Sequence, residues 1–223
     1  MTTLYLRTHL TAIGVGLALA ATAFPTRAQE GQFDWTILQP GGWPAQYIGV
    51  PVPVAEHATW LALVAGAHRW TLESAAQDWR DAHDGVNASR PGTLVFLRHP
   101  ALQAGPAPTP EMRFSGRPRR FGPGTPPLHI VFGRDKYEVS VNDGAVWIRQ
   151  GERRMKIGVA DDAREWFYVD VVWAGDLDRD GRLDLITREA NGGDSSDLCL
   201  YLSSPPHAAG EPLVKVGCED WSG

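Results

Sequence analysis

The sequence predicts a mainly β protein, built as an antiparallel meander, a sandwich or a strongly curved sheet. Three observations carry that expectation. The second half alternates short strand-like runs with turn signals at close intervals. Beyond the N-terminal segment, no long stretch repeats its apolar residues with the period of a helix. Glycine (24) and proline (17) punctuate the chain, while 43% hydrophobic residues among 223 supply enough apolar material for a core. Such a length fits one ordinary domain or two small ones.

The N-terminal segment reads as an export signal. Arg7 and the free amine give a short positive region, and Thr11–Phe24 is an uncharged run of fourteen residues. Thr26-Arg27-Ala28 then places small residues at both positions that a signal peptidase reads. Fourteen residues are too few to cross about 30 Å of hydrocarbon as a helix. Residues 1–28 are therefore expected to be a signal peptide and 29–223 the mature chain, with no membrane span after processing. The absence of a cysteine near the cleavage site argues against a lipoprotein. Processing would remove two arginines and no acid, taking the net charge from −5 to −7. An acidic chain with a pI near 5.8 lacks the basic field that sequence-independent phosphate binding needs, so nucleic acid is not an expected partner. The expected location is the periplasm or exterior of a bacterium.

In the first half, Trp60–Val64 and Thr93–Leu97 are strand candidates, and Trp70–Ala82 reads as a strand running into a loop rather than as a short helix. Residues 101–127 are crowded with proline and glycine, and Arg113, Arg117, Arg119 and Arg120 give them local positive charge. This stretch is expected to be a long exposed loop or a boundary between subregions 29–100 and 128–223. Tyr137–Val141 alternates apolar and polar residues, Asn142-Asp143-Gly144 is a hairpin signal, and Ala145–Arg149 resumes the strand. On Ala145–Arg149, Trp147 shares a face with Arg149; if Val146 and Ile148 face the core, Trp147 is partly exposed and available to a sugar ring or a partner protein. Met155–Val159, Trp166–Ala174, Leu183–Arg188, Asp197–Ser203 and Leu213–Cys218 complete the series of strands.

Cys199 and Cys218 are the only two cysteines. In an oxidising compartment such a pair is expected to be joined. Each sits in a predicted strand, about equally far from the turn-rich loop Ser204–Gly210, so the two can face each other across a hairpin. A redox pair would favour a Cys-x-x-Cys spacing, which is missing here.

The most informative segment is Gly175-Asp176-Leu177-Asp178-Arg179-Asp180-Gly181-Arg182-Leu183-Asp184. Aspartates at loop positions 1, 3, 5 and 9, with glycine at 6, suit a hard cation such as Ca²⁺, which takes six to eight oxygens at about 2.3–2.6 Å. Asp176, Asp178, Asp180 and Asp184 are the expected side-chain ligands, and Arg182 the expected donor of a backbone carbonyl. Four carboxylates this close would repel one another without a cation. An EF-hand is excluded, because Thr187 stands where its bidentate Glu would be and strands are expected on both sides. The segment resembles the calcium loop of FG-GAP and VCBS-type repeats, in which a strand leads into Gly-Asp-x-(Asp/Asn)-x-Asp-Gly-x-x-Asp and an apolar strand follows. The resemblance covers about twenty residues and implies a calcium ion. Propellers built of such repeats need several copies, and this chain holds one, so a full propeller is not expected. The layout also resembles small exported bacterial proteins with one such loop late in the chain and a terminal Cys-containing strand.

Gly193-Asp194-Ser195 resembles the setting of a nucleophilic serine, which makes an exported serine-type hydrolase the contrasting expectation. None of the histidines His57, His68, His83, His99, His129 and His207 sits in a recognisable catalytic context. Metalloprotease, Walker and dinucleotide motifs are absent. The favoured reading is a calcium-binding, disulfide-stabilised exported protein without enzymatic activity. Its expected role is structural or the binding of an envelope protein or glycan, including that of an inhibitor or immunity protein.

Overall fold

The structure, a computed structural model, describes residues 36–40, 59–67, 69–77, 79–82, 85–88, 90–110, 119–159, 168–192, 195–205 and 210–222. The expected signal peptide, Trp166, Gly193 and Asp194 lie outside them, as do four of the six histidines named above. Residues 34–223 form one compact unit.

Strands dominate the described residues. In chain order they are β1 (Ile37–Leu38), β2 (Leu61–Ala65), β3 (Trp70–Ser74), β4 (Trp79–Ala82), β5 (Gly85–Ala88), β6 (Thr93–Leu97), β7 (Gly105–Ala107) and β8 (Arg119–Phe121). They continue with β9 (Leu128–Phe132), β10 (Asp135–Asn142), β11 (Ala145–Gln150), β12 (Arg153–Val159), β13 (Val169–Gly175), β14 (Asp184–Gly192), β15 (Ser195–Leu202) and β16 (Val214–Ser222). Between β3 and β4 the chain makes a single 3₁₀ turn, Ala75–Gln77, where a strand running into a loop was expected. Three antiparallel sheets follow, in the orders β1-β6-β2-β3-β7, β12-β11-β10-β9 and β16-β15-β14-β13-β8, besides the β4-β5 hairpin. None of them closes into a barrel or a propeller.

The third sheet is the middle layer. Val169, Val171, Leu185, Cys199 and Tyr201 on one of its faces pack with Ile130, Val139, Val146, Ile148 and Ile157 of the β9–β12 sheet. Trp173, Ile186, Leu198, Leu200 and Leu202 on its other face pack with Ile37, Leu63, Leu72, Val95 and Leu97 of the first sheet. A sheet covered on both faces has few positions for polar residues, which explains the almost unbroken apolar runs of β13 and β15. The β9–β12 sheet covers only one side and alternates instead, as the burial of Leu128, Ile130 and Phe132 against exposure of His129 and Val131 shows.

A bulge in β13 changes which of its residues meet each layer. Val171 pairs with Thr187 but Trp173 pairs with Ile186, so Val172 is an extra residue in the strand. The slip sends Val169 and Val171 to one layer and Trp173 to the other, although all three are spaced by two. The Asp143-Gly144 turn joins β10 to β11 with positive φ at both residues (51° and 67°), the arrangement of a type I′ hairpin. As the alternation implied, Val146 and Ile148 face the core and Trp147 is half-buried on the opposite side. The proline-rich segment after β6 carries two short strands: β7 extends the first sheet beside β3, and β8 extends the middle sheet beside β13.

Cys199 and Cys218 are directly opposed in register on β15 and β16 and form a disulfide, their Cα atoms 4.1 Å apart. The middle sheet also buries polar groups. Glu189 accepts hydrogen bonds from Tyr201 Oη (2.6 Å), Thr187 Oγ1 (2.9 Å) and Lys215 Nζ (2.9 Å), so its carboxylate is fully engaged. Glu219 is less well served. Its Oε2 accepts from the Gln39 amide at 2.9 Å, while Oε1 is buried without a hydrogen bond. Burial pushes its carboxyl up to about 8.

Two measurements follow from these features. Replacing both cysteines by serine should cost about 3 kcal/mol in denaturant unfolding, through the freed unfolded chain; an unchanged midpoint would contradict a stabilising bridge. Because the folded-state pKa of Glu219 lies above its ordinary value of 4.5, the unfolded chain ionises first as pH rises. Stability should therefore fall between pH 4.5 and about 8, and Glu219→Gln should flatten that part of the profile at constant calcium.

Candidate metal centre

The aspartate segment forms the connection between β13 and β14, the first two strands of the β13–β16 meander. Both ends are fixed before the loop begins. Gly175 is the last residue of β13, and a Cβ there would come within 2.3 Å of the Pro108 carbonyl oxygen. Only glycine lets the two backbones approach this closely. Next to it the Asp176 amide donates to that same Pro108 oxygen at 2.8 Å. At the other end Asp184 opens β14, as the expected cage requires.

Between these ends the chain turns through two left-handed positions, Arg179 (φ 64°) and Gly181 (φ 81°). Glycine takes the second at no steric cost. The turn is laced by its own carboxylates: Asp176 Oδ2 accepts from the Gly181 amide (3.0 Å), Asp178 Oδ1 from the Asp180 amide (3.2 Å) and Asp180 Oδ1 from the Arg182 amide (2.8 Å). Asp184 accepts from the Leu177 amide (2.7 Å) and the Ser203 amide (2.9 Å), tying the loop to the end of β15.

Asp176, Asp178 and Asp184 converge, each offering a carboxylate oxygen within 4.8 Å of the others. This group could hold a metal ion. Asp176 is 5% exposed and Asp184 fully buried, and Asp176 Oδ1 is buried with no hydrogen-bond partner. An orphaned anionic oxygen in such a place is costly unless something positive meets it. Burial raises the carboxyl of Asp176 and lifts that of Asp184 well above the carboxylate range, in each case against the hydrogen bonds they accept from backbone amides.

Of the sequence-expected ligands, Asp180 lies outside the converging group. Its carboxylate pairs with the Arg182 guanidinium at 2.7 Å and lies 2.9 Å from Ser203 Oγ. The Arg182 side chain therefore anchors the turn, whatever its carbonyl does. Two partners were not visible in the sequence. Ser203 Oγ is 3.0 Å from Asp184 Oδ1, so it stands between Asp184 and Asp180 with one proton to donate to either, and Ser204 Oγ bonds to Asp178. Both serines directly follow β15, where the meander returns the chain to the loop, and their signal was only the pairing of β14 with β15.

The loop also touches the two outer layers. Leu177 is in the core shared with the first sheet, and Arg179 donates to the carbonyls of Gln103 (3.0 Å) and Ala104. Leu183 is in the core shared with the β9–β12 sheet, its amide 3.4 Å from Tyr137 Oη. His99 is close enough for the Asp178 charge to act on it, although burial outweighs that charge and lowers its pKa. Of the alternative serine site, Ser195 begins β15 opposite Ser222.

No family model, curated protein or solved structure matches the chain.

Proposed function

We propose that the chain is an exported calcium-binding protein, in which the ion is a structural clamp rather than a catalyst. The observation that carries this reading is the buried, unpartnered Oδ1 of Asp176 within a group of three carboxylates whose oxygens lie within 4.8 Å of one another. An all-oxygen, all-carboxylate set of side chains suits a hard cation, and the lack of sulfur or imidazole in the group argues against softer metals. Calcium is favoured over magnesium because the group is made of protein carboxylates on one turn, whereas magnesium keeps several waters and is usually bound through only one or two carboxylates. The resemblance to an FG-GAP-type loop supports the same ion, and the position of the turn between the first two strands of a four-stranded meander is compatible with it.

In this role the ion neutralises a cluster that would otherwise strain a turn touching all three layers. The chemistry of the group also fits a clamp. Asp176 and Asp184 are buried, and the hydrogen bonds from neighbouring amides and from Ser203 are spent on holding the turn. Export is supported by the apolar N-terminal run and by the Cys199–Cys218 disulfide, which persists best in an oxidising compartment.

Thermal unfolding in calcium and in chelator tests the reading. An ion at ten times its Kd contributes about 1.4 kcal/mol, which for a domain of this size raises the midpoint by about 3–6 °C. Asp176→Ala should abolish the shift, and magnesium at the same concentration should give little of it. An identical transition with and without calcium in the unsubstituted protein would overturn the proposal.

A further inference from the structure

The outward face of the β9–β12 sheet carries a charge opposite to that of the whole chain. Strand register places Glu138 opposite Arg149 and His129, Arg149 opposite Arg154, and Trp147 opposite Lys156 and Ser140. Lys136 stands two residues from Glu138 on the same face of β10. Four cations, Lys136, Arg149, Arg154 and Lys156, thus share the face with one acid, Glu138, in a chain whose net charge is −5. Glu138 is already engaged, 3.4 Å from Arg149 and 3.7 Å from His129. Lys136, Arg154 and Lys156 are exposed and make no ion pair among the described residues.

Arg154 is held ready. Its guanidinium lies over the Trp147 ring, 5.1 Å from the centroid, and the indole Nε1 is fixed on the Asn142 carbonyl at 3.3 Å. Stacking leaves the N–H edges of a guanidinium free to bind a carboxylate or sulfate and lowers the entropy lost when they do so. A lysine-bearing edge strand can also serve only to prevent sheet-to-sheet pairing. That role does not require Arg149 on the inner strand β11, nor the Trp147–Arg154 stack.

We propose that this face binds a linear acidic polysaccharide, one carrying carboxylate or sulfate groups. Charge complementarity selects a polyanion. An acidic folded protein is disfavoured because a stable interface has an apolar centre, and here the large apolar side chains are scattered one to a strand: Val131 on β9, 59% exposed, the half-buried Trp147 on β11 and Val159 on β12, 37% exposed. Single-stranded nucleic acid is disfavoured because base stacking needs an open aromatic ring, whereas Arg154 covers Trp147. The exposed amide of Asn142, donating to the buried Ser140 hydroxyl at 3.1 Å, adds a neutral hydrogen-bonding group that a sugar polymer uses. The proposal rests on this sheet alone and does not require the ion.

Binding of the full chain to chondroitin sulfate, dextran and oligo-dT, measured at low and at high salt, tests it. Chondroitin sulfate should bind in a salt-sensitive manner and dextran should not. Arg154→Gln combined with Lys156→Gln should weaken binding about tenfold, as loss of two charge-assisted contacts implies. Arg69→Gln, which removes an exposed cation between β2 and β3, should leave binding unchanged. Retained melting temperatures would show that each variant is folded. Failure to bind chondroitin sulfate at low salt, equal binding of oligo-dT, or equal loss in Arg69→Gln would each overturn the proposal. Chelator leaves this binding intact if the assignment is right, which separates it from the calcium reading.

Discussion

The constraint on which this fold depends is that its middle sheet has no solvent face. With one layer packed on each side, β13, β14 and β15 bury nearly every side chain, and every polar group they carry needs a partner inside the protein. Glu189 finds three donors, and Asp170 pairs with Arg120 at 3.1 Å, close to Tyr168. Glu219 retains an unpartnered oxygen, Asp176 another, and Trp173 an indole N–H without a hydrogen bond. Electrostatics here is therefore local: each buried charge is settled by its own neighbours, independently of the net charge of the chain.

The aspartate turn inherits its position from that arrangement. A loop at the end of the middle sheet borders both outer layers at once, so Leu177 and Leu183, six residues apart in sequence, enter two different cores. The carboxylates between them are held on the rigid ends of β13 and β14 rather than on a free loop, which limits how far they can separate. Ser203 adds the third strand to the same cluster. The result is a junction whose geometry depends on backbone amides as much as on the acidic side chains.

Much of the architecture was legible from the residues. Alternation in Tyr137–Val141 and Ala145–Arg149 gave the correct inward face because that sheet is covered on one side only. The paired cysteines and the start of β14 at Asp184 were readable for a similar reason, since each depends on local spacing. The layering was not. Continuous apolar runs such as that of β15 fit any buried strand, and nothing in them says which of two partners each residue will meet. β7 and β8 were hidden because three residues joined to a sheet edge need no hydrophobic pattern, and Pro106 even argues against a strand. Within the metal turn, the sequence supplied the acidic positions, but the deflection of Asp180 toward Arg182 and Ser203 depends on a strand that comes back nineteen residues after Asp184.

The bulge at Val172 gives β13 an unusual kind of sensitivity. Most positions in a packed strand are judged by the volume and polarity of the side chain they hold. At this one what matters is that the residue stays out of the ladder, since Val172 is only partly buried and its bulge changes the parity of everything after it. Drawing Val172 into the regular ladder would place it opposite Ile186, turn Trp173 to the face of Val171 and away from the first sheet, and slide Gly175 past Asp184 and off its approach to the Pro108 carbonyl. The aspartate turn would then begin out of phase with its own anchor. Which residue the ladder skips is thus a form of information in its own right, one that aligns a hydrophobic layer and an acidic loop.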